Sequence, residues 1–205
     1  MKFSVKFKAD DVRKMFKDLK KEFRDGADGA RAGYYEGEQT KDGKATLSEI
    51  ALVNEFGANI NIPPHTVTNY RQVNKAGTGF NKEGRFVKKK DANFAQDHQV
   101  DGYTVTIPSR PFIRNAEAKI QESASEIMQK GLQDGKTLNR IIREVAEDMR
   151  NQIVESITSN TPPPNKPSTI RQKKGSTGTL RDTGQLRDSV HIALVKDGQE
   201  KPIGK

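Results

Sequence analysis

The chain has 205 residues, enough for one sizeable domain with an extension; 32% are hydrophobic and 31% are charged. The net charge of +9 is typical either of a protein with a polyanionic partner or of one whose surface lysines only aid solubility. The absence of cysteine excludes disulfides, thiolate metal sites and cysteine catalysis. No apolar run approaches the roughly 20 residues of a membrane span or forms a signal-peptide core, so we expect a protein made in a reducing cytoplasm with no membrane partner.

The amino-terminal region carries three periodic patterns. Alternating apolar residues predict a strand over 3–7, and apolar residues at helical spacing predict a helix over 12–23. A second short strand is predicted over 30–35. These elements indicate mixed α and β structure.

A short helix is predicted to begin after Thr46 and to end at Gly57. Thr46 and Glu49 have the spacing of a capping box, in which each side chain accepts from the other residue's backbone N–H. Gly57 suits the end of the helix because glycine tolerates unusual backbone angles.

Residues 65–106 are predicted to form a β-rich insertion that protrudes as a hairpin or a small sheet. Its β-like pieces are 65–73, 85–89 and 102–107. Between 71 and 90 the only acidic residue is Glu83, whereas the basic residues are numerous: Arg71, Lys75, Lys82, Arg85, Lys88, Lys89 and Lys90. These residues are candidates for lying near a nucleic acid backbone, with nearby aromatic rings able to stack on unpaired bases. The alternative is that the lysines simply face solvent and protect an exposed strand edge.

A junction at 107–115 opens the longest helical pattern. Ser109 is a plausible cap, and Pro111 fits a first helical turn, where its missing N–H costs nothing. Apolar residues at helical spacing then predict helices over 112–132 and 138–157, and the short connection favours an antiparallel pair.

The carboxy-terminal part is predicted to be an extended arm. Residues 159–168 are rich in proline and polar residues, which favours a stiff, extended linker. We expect the arm, 159–190, to return to a final strand over 190–195. The fold class expected is therefore α+β over 1–205 as a single domain. It has a small antiparallel sheet packed with two long amphipathic helices, a protruding β-hairpin insertion and the extended arm.

No pattern indicates catalysis, a cofactor or a metal. The histidines His65, His98 and His191 are scattered, and no HExxH spacing appears. The two glycine-rich stretches, 76–80 and 175–178, lack the Gly-Lys-Ser/Thr ending of a phosphate-binding loop. An enzyme is therefore the weaker hypothesis.

Several short motifs occur in an order that resembles one protein family. The helix end Asn54-Glu55-Phe56-Gly57 is followed by Ile107-Pro108-Ser109-Arg110-Pro111-Phe112, then by a basic segment over 164–175 and a segment over 180–190. Together these motifs resemble the phage tail-completion and virion-morphogenesis family. The departure lies in the spacing: Ile62-Pro63 begins the Ile-Pro motif as in the family, but Arg110-Pro111-Phe112 comes only after the insertion.

The resemblance implies a structural protein of the virion head–tail junction, with an α+β fold and no catalysis. Family members form rings that join the head connector to the tail and let DNA pass, which implies self-association and contacts with head-connector and tail-tube or terminator proteins. In such a ring we expect the arm to pack on an adjacent subunit or on a neighbouring ring. Genomic DNA in the lumen would meet the ring through its backbone only. The resemblance leaves open whether the ring has six or twelve copies. A basic nucleic-acid-binding protein acting through 71–90 is the alternative function.

The motif positions supply the candidates for assembly contacts. They are Phe56, Gly57, Arg110, Pro111, Phe112, Arg114, Pro164, Arg171, Asp182, Gly184 and Leu186. Arg110 and Arg114 flank the start of the long helix, so we expect them to pin either the insertion or a neighbouring subunit.

Overall fold

The protein has an α+β fold of helices and small antiparallel sheets, seen in a computed structural model. The structure describes residues 24–77, 79–80, 86–173 and 178–203, together with Lys14, Lys17, Asp18, Lys20 and Lys21. The strand predicted over 3–7 and the apolar positions of the helix predicted over 12–23 lie outside the described residues. The chain divides into two compact units, which we call the main unit (Met1–Gly57 with Pro108–Lys205) and the ribbon unit (Ala58–Ile107).

Three helices form most of the main unit: α1 (Leu47–Phe56), α2 (Phe112–Gln133) and α3 (Leu138–Thr158). The predicted capping box is present at α1, where Thr46 and Glu49 satisfy each other's backbone N–H groups. Helices α2 and α3 are antiparallel, as predicted, because Lys119 lies beside Glu155 near one end and Gly131 lies against Ile141 near the other.

A three-stranded antiparallel sheet packs beside α3. Its strands are β1 (Gly29–Gly33), β6 (His191–Lys196) and β7 (Gln199–Pro202), in the order β1–β6–β7. Ile192 and Ala193 of β6 are buried, and Ala146 of α3 belongs to the same apolar cluster as Ile192. β7 is absent from the sequence interpretation because its residues, Gln-Glu-Lys-Pro, are polar and all exposed.

The main core forms where α2 begins. Phe112, the first residue of α2, is 0% exposed and packs in one cluster with Ala51, Ile153 and Ile157. The Tyr34 ring meets the Phe112 ring edge-on at 6.3 Å between centroids. Burying a side chain of this size contributes about 1.5–3 kcal/mol, so the start of α2 is fixed chiefly by its first residue.

The segment 159–190 is not an extended arm, which corrects the prediction. Its described residues include the short helices α4 (Pro167–Gln172) and α5 (Gln185–Asp188), and they pack within the main unit of their own chain. Leu180, Leu186 and Val190 are buried in the main core. Only Leu186 and Val190 have helical spacing, four residues apart, and a single such pair is too short a pattern to predict burial from the sequence.

The ribbon unit is built from four strands: β2 (Ala58–Ile62), β3 (His65–Arg71), β4 (Phe94–Val100) and β5 (Tyr103–Ile107). β2 pairs with β5 and β3 with β4, both antiparallel. The two pairs share one register: Ile62 faces Tyr103, and His65, three residues further along, faces Val100, three residues back. The four strands therefore form one two-stranded ribbon with a break.

The break lies at Pro63-Pro64, opposite Asp101-Gly102. Proline has no N–H to donate, so the ladder is interrupted there. Gly102 lies opposite, where a Cβ would be tightly placed, 3.1 Å from Pro64 Cδ and 3.2 Å from the Ile62 carbonyl oxygen.

The strand predicted over 85–89 is wrong for the described residues 86–89. Residues 86–88 have no regular structure, a 3₁₀ turn spans Lys89–Asp91, and Arg85 lies outside the described residues. The partner of β3 is β4, a polar and largely exposed strand whose pairing is not visible as alternation in the sequence. β2 was also not predicted, so the ribbon unit extends from 58 to 107 where the sequence predicts an insertion over 65–106.

Candidate functional site

Two of the sequence motifs meet at the start of α2. The backbone N–H of Arg110 donates to the Asn54 carbonyl at 2.6 Å, and the Ser109 hydroxyl donates to the Glu55 carbonyl at 2.7 Å. The predicted capping role of Ser109 is therefore replaced by a bond to the end of α1. These contacts join residues more than 50 positions apart in the sequence.

Glu55 caps α2 from another helix. Glu55 is buried, with 3% of its surface exposed. Its carboxylate accepts hydrogen bonds from the backbone N–H groups of Ile113 at 2.9 Å and Arg114 at 3.2 Å. Arg114 also donates from Nε to the same carboxylate at 2.9 Å. A carboxylate suits the positive end of a helix, and it satisfies N–H groups that have no partner within the helix. We call this arrangement the Glu55 clamp.

The partner of Arg114 in the described chain is Glu55, where the sequence predicts the insertion or a neighbouring subunit. Arg114 pins the end of α1 within the main unit, and its guanidinium carbon lies 5.1 Å from the centre of the Phe56 ring. Phe56 is 64% exposed, and Leu52, one helical turn earlier, is also exposed. This exposed apolar pair on α1 is a surface that a neighbouring molecule can cover.

Arg110 is buried beside the clamp, with 7% of its surface exposed. Its Nε donates to the Pro163 carbonyl at 2.9 Å, and Nη2 donates to Asn165 Oδ1 at 3.2 Å. Among the described residues no carboxylate forms an ion pair with Arg110. Burial lowers the pKa of Arg110, because the charged form loses hydration without gaining a counter-charge.

Lys173 holds the loop that follows the segment 174–177. Its ammonium donates to the carbonyls of Gly178 at 2.8 Å, Thr179 at 3.2 Å and Arg181 at 2.6 Å. Burial lowers the pKa of Lys173, the charges of Arg110 and Arg181 lower it further, and Asp182 acts in the opposite direction. Three cations therefore lie close together in this part of the main unit.

These residues surround a cavity of about 570 Å³, which we call the cationic cavity. Five basic residues line it: Lys41, Lys44, Arg110, Lys173 and Arg181. Two acidic residues line it, Asp42 and Asp182, so the lining carries an excess of positive charge. Apolar side chains supply part of the wall: Ala45, Leu47, Ile50, Leu180 and Leu186.

The remaining assembly candidates divide between surface and core. Phe112 and Leu186 are buried, whereas Pro164, Arg171 and Asp182 are exposed. Gly184 takes a φ of +83° immediately before α5, a conformation that favours glycine. Gly57 ends α1 at a φ of +77°, and Pro111 precedes α2.

Of the residues predicted to lie near nucleic acid, Arg71 is the last residue of β3, and the others fall in the connection between β3 and β4. Arg71 places its guanidinium carbon 4.7 Å from the centre of the Phe80 ring and 4.9 Å from that of Phe86. The described lysines of the tract are exposed, namely Lys75, Lys88, Lys89 and Lys90. Lys82 and Arg85 lie outside the described residues.

One histidine cluster was missed by the sequence interpretation. His191 Nε2 lies 2.7 Å from a carboxylate oxygen of Glu38, and the Tyr35 ring stacks on the imidazole at 4.5 Å between centroids. The Ser189 hydroxyl donates to the same carboxylate at 3.2 Å. The hydroxyl thus meets the carboxylate instead of the imidazole, and the cluster lacks the hydroxyl–imidazole contact that activates a nucleophile.

Neither a metal site nor a membrane span emerges from the part of the chain that the structure describes. No group of three or more histidine, aspartate or glutamate side chains there is placed to hold a metal ion. No helix there is both long and apolar enough to cross a bilayer.

Comparisons with known proteins give no relative. No protein-family model, no curated protein and no solved structure matches the chain. The resemblance carried by the motifs therefore stays a prediction, and function is argued from the geometry above.

Proposed function

We propose that this protein is a structural component of a bacteriophage virion at the head–tail junction, where it completes the neck or tail. It acts by assembly, not catalysis. Copies form a ring that contacts the head connector on one side and tail-tube or terminator proteins on the other. Genomic DNA passes through the lumen and meets the ring through its phosphate backbone only.

The observation that carries this proposal is the ribbon unit. Among its described residues none is buried, although it contains apolar side chains on both strands. A two-stranded ribbon is marginally stable at best in water, and both of its strands are unpaired edges. Contacts with neighbouring chains stabilise such an element, as they do in an assembled particle.

The half of the ribbon formed by β2 and β5 has one apolar face. Side chains alternate between faces along a strand, so register partners share a face. One face carries Ala58, Ile60, Ile62, Tyr103, Val105 and Ile107. The opposite face carries Asn59, Asn61, Thr104 and Thr106. Burial of the apolar face contributes to association, and the polar face suits solvent.

The main unit supports the proposal in a second way. The motifs that resemble the virion-morphogenesis family lie far apart in sequence, but they meet at the Glu55 clamp and around Arg110. They therefore build one rigid frame. A frame with exposed Phe56 and Leu52 on its surface offers a contact site suited to assembly.

Electron microscopy and sedimentation of the purified protein test the proposal. We expect closed rings for the natural chain, and loss of rings when Ile60→Asp and Val105→Asp place charges on the apolar face of the ribbon. The matched control is Asn59→Asp with Thr106→Asp, which adds the same charges to the opposite face at paired positions. A natural chain that stays monomeric at high concentration, or equal effects of the two variants, would contradict the proposal.

A second candidate is a basic nucleic-acid-binding protein that acts through residues 71–90. The exposed lysines of this connection favour it. If they contact phosphates, replacing Lys88, Lys89 and Lys90 with glutamate should reduce the slope of log affinity against log salt by about 2–3, because each phosphate contact contributes about 0.9.

The matched control for that test replaces three exposed lysines of the main unit, Lys14, Lys17 and Lys21, with glutamate. Electron microscopy separates the two functions, since rings favour assembly and DNA-dependent coating favours the nucleic-acid function. A DNA affinity that does not respond to salt would exclude phosphate contacts by the tract.

A further inference from the structure

The cationic cavity contains more positive charge than its surroundings neutralise. Of its two acids, Asp42 is already engaged, since its carboxylate accepts from the Thr40 hydroxyl at 2.7 Å and lies 3.9 Å from Lys44. Asp182 is exposed, and among the described residues it forms no ion pair. Arg110, Lys173 and Arg181 therefore form no ion pair within the part of the chain that the structure describes, although the charge of Asp182 acts on Lys173.

Arg110 keeps donors free at this cavity. Its guanidinium has five N–H groups, and only Nε and Nη2 donate to described residues, namely to Pro163 and Asn165. Nη1 makes no hydrogen bond to any described residue. A buried guanidinium without a counter-ion is destabilising, which is why such groups are usually paired. An arriving anion would supply the missing charge.

Two further polar groups beside Arg110 lack partners. Thr179 is 8% exposed, and neither its hydroxyl nor Arg181 Nε finds a hydrogen-bond partner in the described chain. Both residues line the cavity. Buried polar groups are normally satisfied, so two orphans next to a free guanidinium point to a ligand that completes the set.

Hydrogen bonds hold the described loop around these groups. Lys173 is fully used in holding the carbonyls of Gly178, Thr179 and Arg181, and Asn165 Nδ2 also binds the Gly178 carbonyl at 3.1 Å. Arg181 also lies close to this loop, since a Cβ at Gly178 would lie 2.4 Å from Arg181 Nε. Lys173 therefore positions the loop and contributes charge, while Arg110, Arg181 and Thr179 are the groups left to bind.

The walls indicate what carries the anion. Leu47, Ile50 and Leu186 line the same cavity, and these side chains offer nothing to a nucleic acid backbone. They suit the aliphatic part of a protein segment, and a guanidinium matches the two oxygens of a carboxylate.

We infer that the cationic cavity binds the carboxylate of an acidic side chain presented by a segment of another polypeptide. Arg110 and Arg181 contact the carboxylate, and Thr179 turns to donate its hydroxyl. This inference rests on the proposed function only in identifying the other polypeptide as a neighbouring virion protein. The site itself does not depend on ring formation.

Nuclear magnetic resonance of the full, ¹⁵N-labelled chain tests the inference through the arginine side-chain Nε–H signals. The probe is acetyl-Leu-Glu-Leu-amide, and its control is the same peptide with glutamine in place of glutamate. We expect saturable shifts of the Arg110 and Arg181 signals with the acidic peptide alone. Equal response to both peptides, or no response to either, would overturn the inference.

Two variants separate binding from folding. Thr179→Val removes an unpartnered hydroxyl, so it should not destabilise the fold but should weaken peptide binding about threefold to tenfold. Arg110→Gln should weaken it at least tenfold, whereas Arg171→Gln, which removes an exposed arginine outside the cavity, should leave it unchanged. Full affinity in Thr179→Val and Arg110→Gln would contradict the assignment.

Competition identifies the source of the anion. Inorganic phosphate or duplex DNA that binds the cavity more tightly than the acidic peptide would overturn the assignment to a protein segment. Rings without peptide binding would remove this inference and leave the proposed function standing. Peptide binding by a monomer that forms no rings would remove the proposed function and leave this inference standing.

Discussion

The two units of this chain are stabilised in different ways. The main unit buries Phe112, Ile141, Ile153 and Ile157 almost completely, whereas no described residue of the ribbon unit is buried. Apolar burial supplies most of the favourable free energy of folding, so the main unit holds most of the stabilising burial in the described chain. The described part of the ribbon is held by strand pairing, and we propose that neighbouring molecules add to its stability.

Their polar groups differ in the same sense. In the main unit, Glu55 and Arg110 are buried and fix the geometry of the α1–α2 junction. In the ribbon, polar contacts are exposed cross-strand pairs, such as Thr68 with Asp97 and Thr104 with Asn61. Exposed pairs of this kind contribute about 0.2–1 kcal/mol each. Buried polar groups thus fix geometry in the main unit, whereas polar groups in the ribbon remain available to solvent or, under the proposed function, to neighbouring subunits.

The largest effect should come from the centre of the main core. Phe112→Ala leaves a cavity where a fully buried ring packs on Ile153 and Ile157, and it should reduce the free energy of unfolding by about 3–5 kcal/mol. Urea denaturation measures this loss. Phe86→Ala, in the ribbon unit, is the control, and it should change the global transition little because Phe86 is exposed. Equal losses would break the comparison between the units.

The next effect should come from the Glu55 clamp. Glu55→Ala removes the acceptor of the Ile113 and Arg114 N–H groups, and it should cost about 2–3 kcal/mol because buried donors lose their partner. Arg114 is half-exposed and can be rehydrated, which keeps the loss below that of a fully buried ion pair. The urea denaturation curve of Glu55→Ala should have the same shape as the curve of Phe112→Ala. Unchanged stability would show that the clamp is not structural.

Two glycine substitutions contrast the units directly. Gly131→Ala places a Cβ 2.6 Å from Ile141 Cγ1, so overpacking of about 1–3 kcal/mol should outweigh the gain in helix propensity of about 1 kcal/mol. Gly102→Ala should instead disturb only the break in the ribbon. We expect a lower melting temperature for the first variant, and for the second an unchanged melting temperature with faster amide exchange in β2 and β5. A global loss of stability in Gly102→Ala would show that the units unfold together.

The smallest effect concerns Tyr34, whose pKa is raised by burial. The pKa of Tyr34 in the folded state lies above the unfolded value of about 10, so the folded protein favours the neutral phenol. The contribution of the neutral Tyr34 to the free energy of unfolding is therefore fully present below pH ~10 and is lost as pH rises through the folded-state pKa. Tyr34→Phe should cost about 1 kcal/mol at neutral pH, through loss of the bond to the Leu186 carbonyl, and should flatten the alkaline loss of stability. Unfolding free energies measured from neutral to alkaline pH check this. An unchanged alkaline slope in the variant would assign the loss to another group.

Local sequence patterns are sufficient to predict many of the helices and strands of the main unit. The capping box of Thr46 and Glu49, the helical spacing of α2 and α3, and the strand at β6 all follow from local patterns that a neighbour along the chain can satisfy. The sequence also determined the basic composition and the motifs around Arg110. Local propensity and periodicity act within a few residues, and these features need no more than that.

The structural role of the irregular segments depends on contacts that form only in the folded protein. Leu180 and Leu186 lie in a stretch that reads as an extended arm, yet they complete the main core, since burial depends on what lies opposite and not on spacing. The pairing of β3 with polar β4 was set by register across a long connection. The convergence of Arg110 and Arg181 on one cavity with the unpartnered Thr179 hydroxyl was likewise invisible in the chain, because groups far apart in sequence interact only once folding has brought them together.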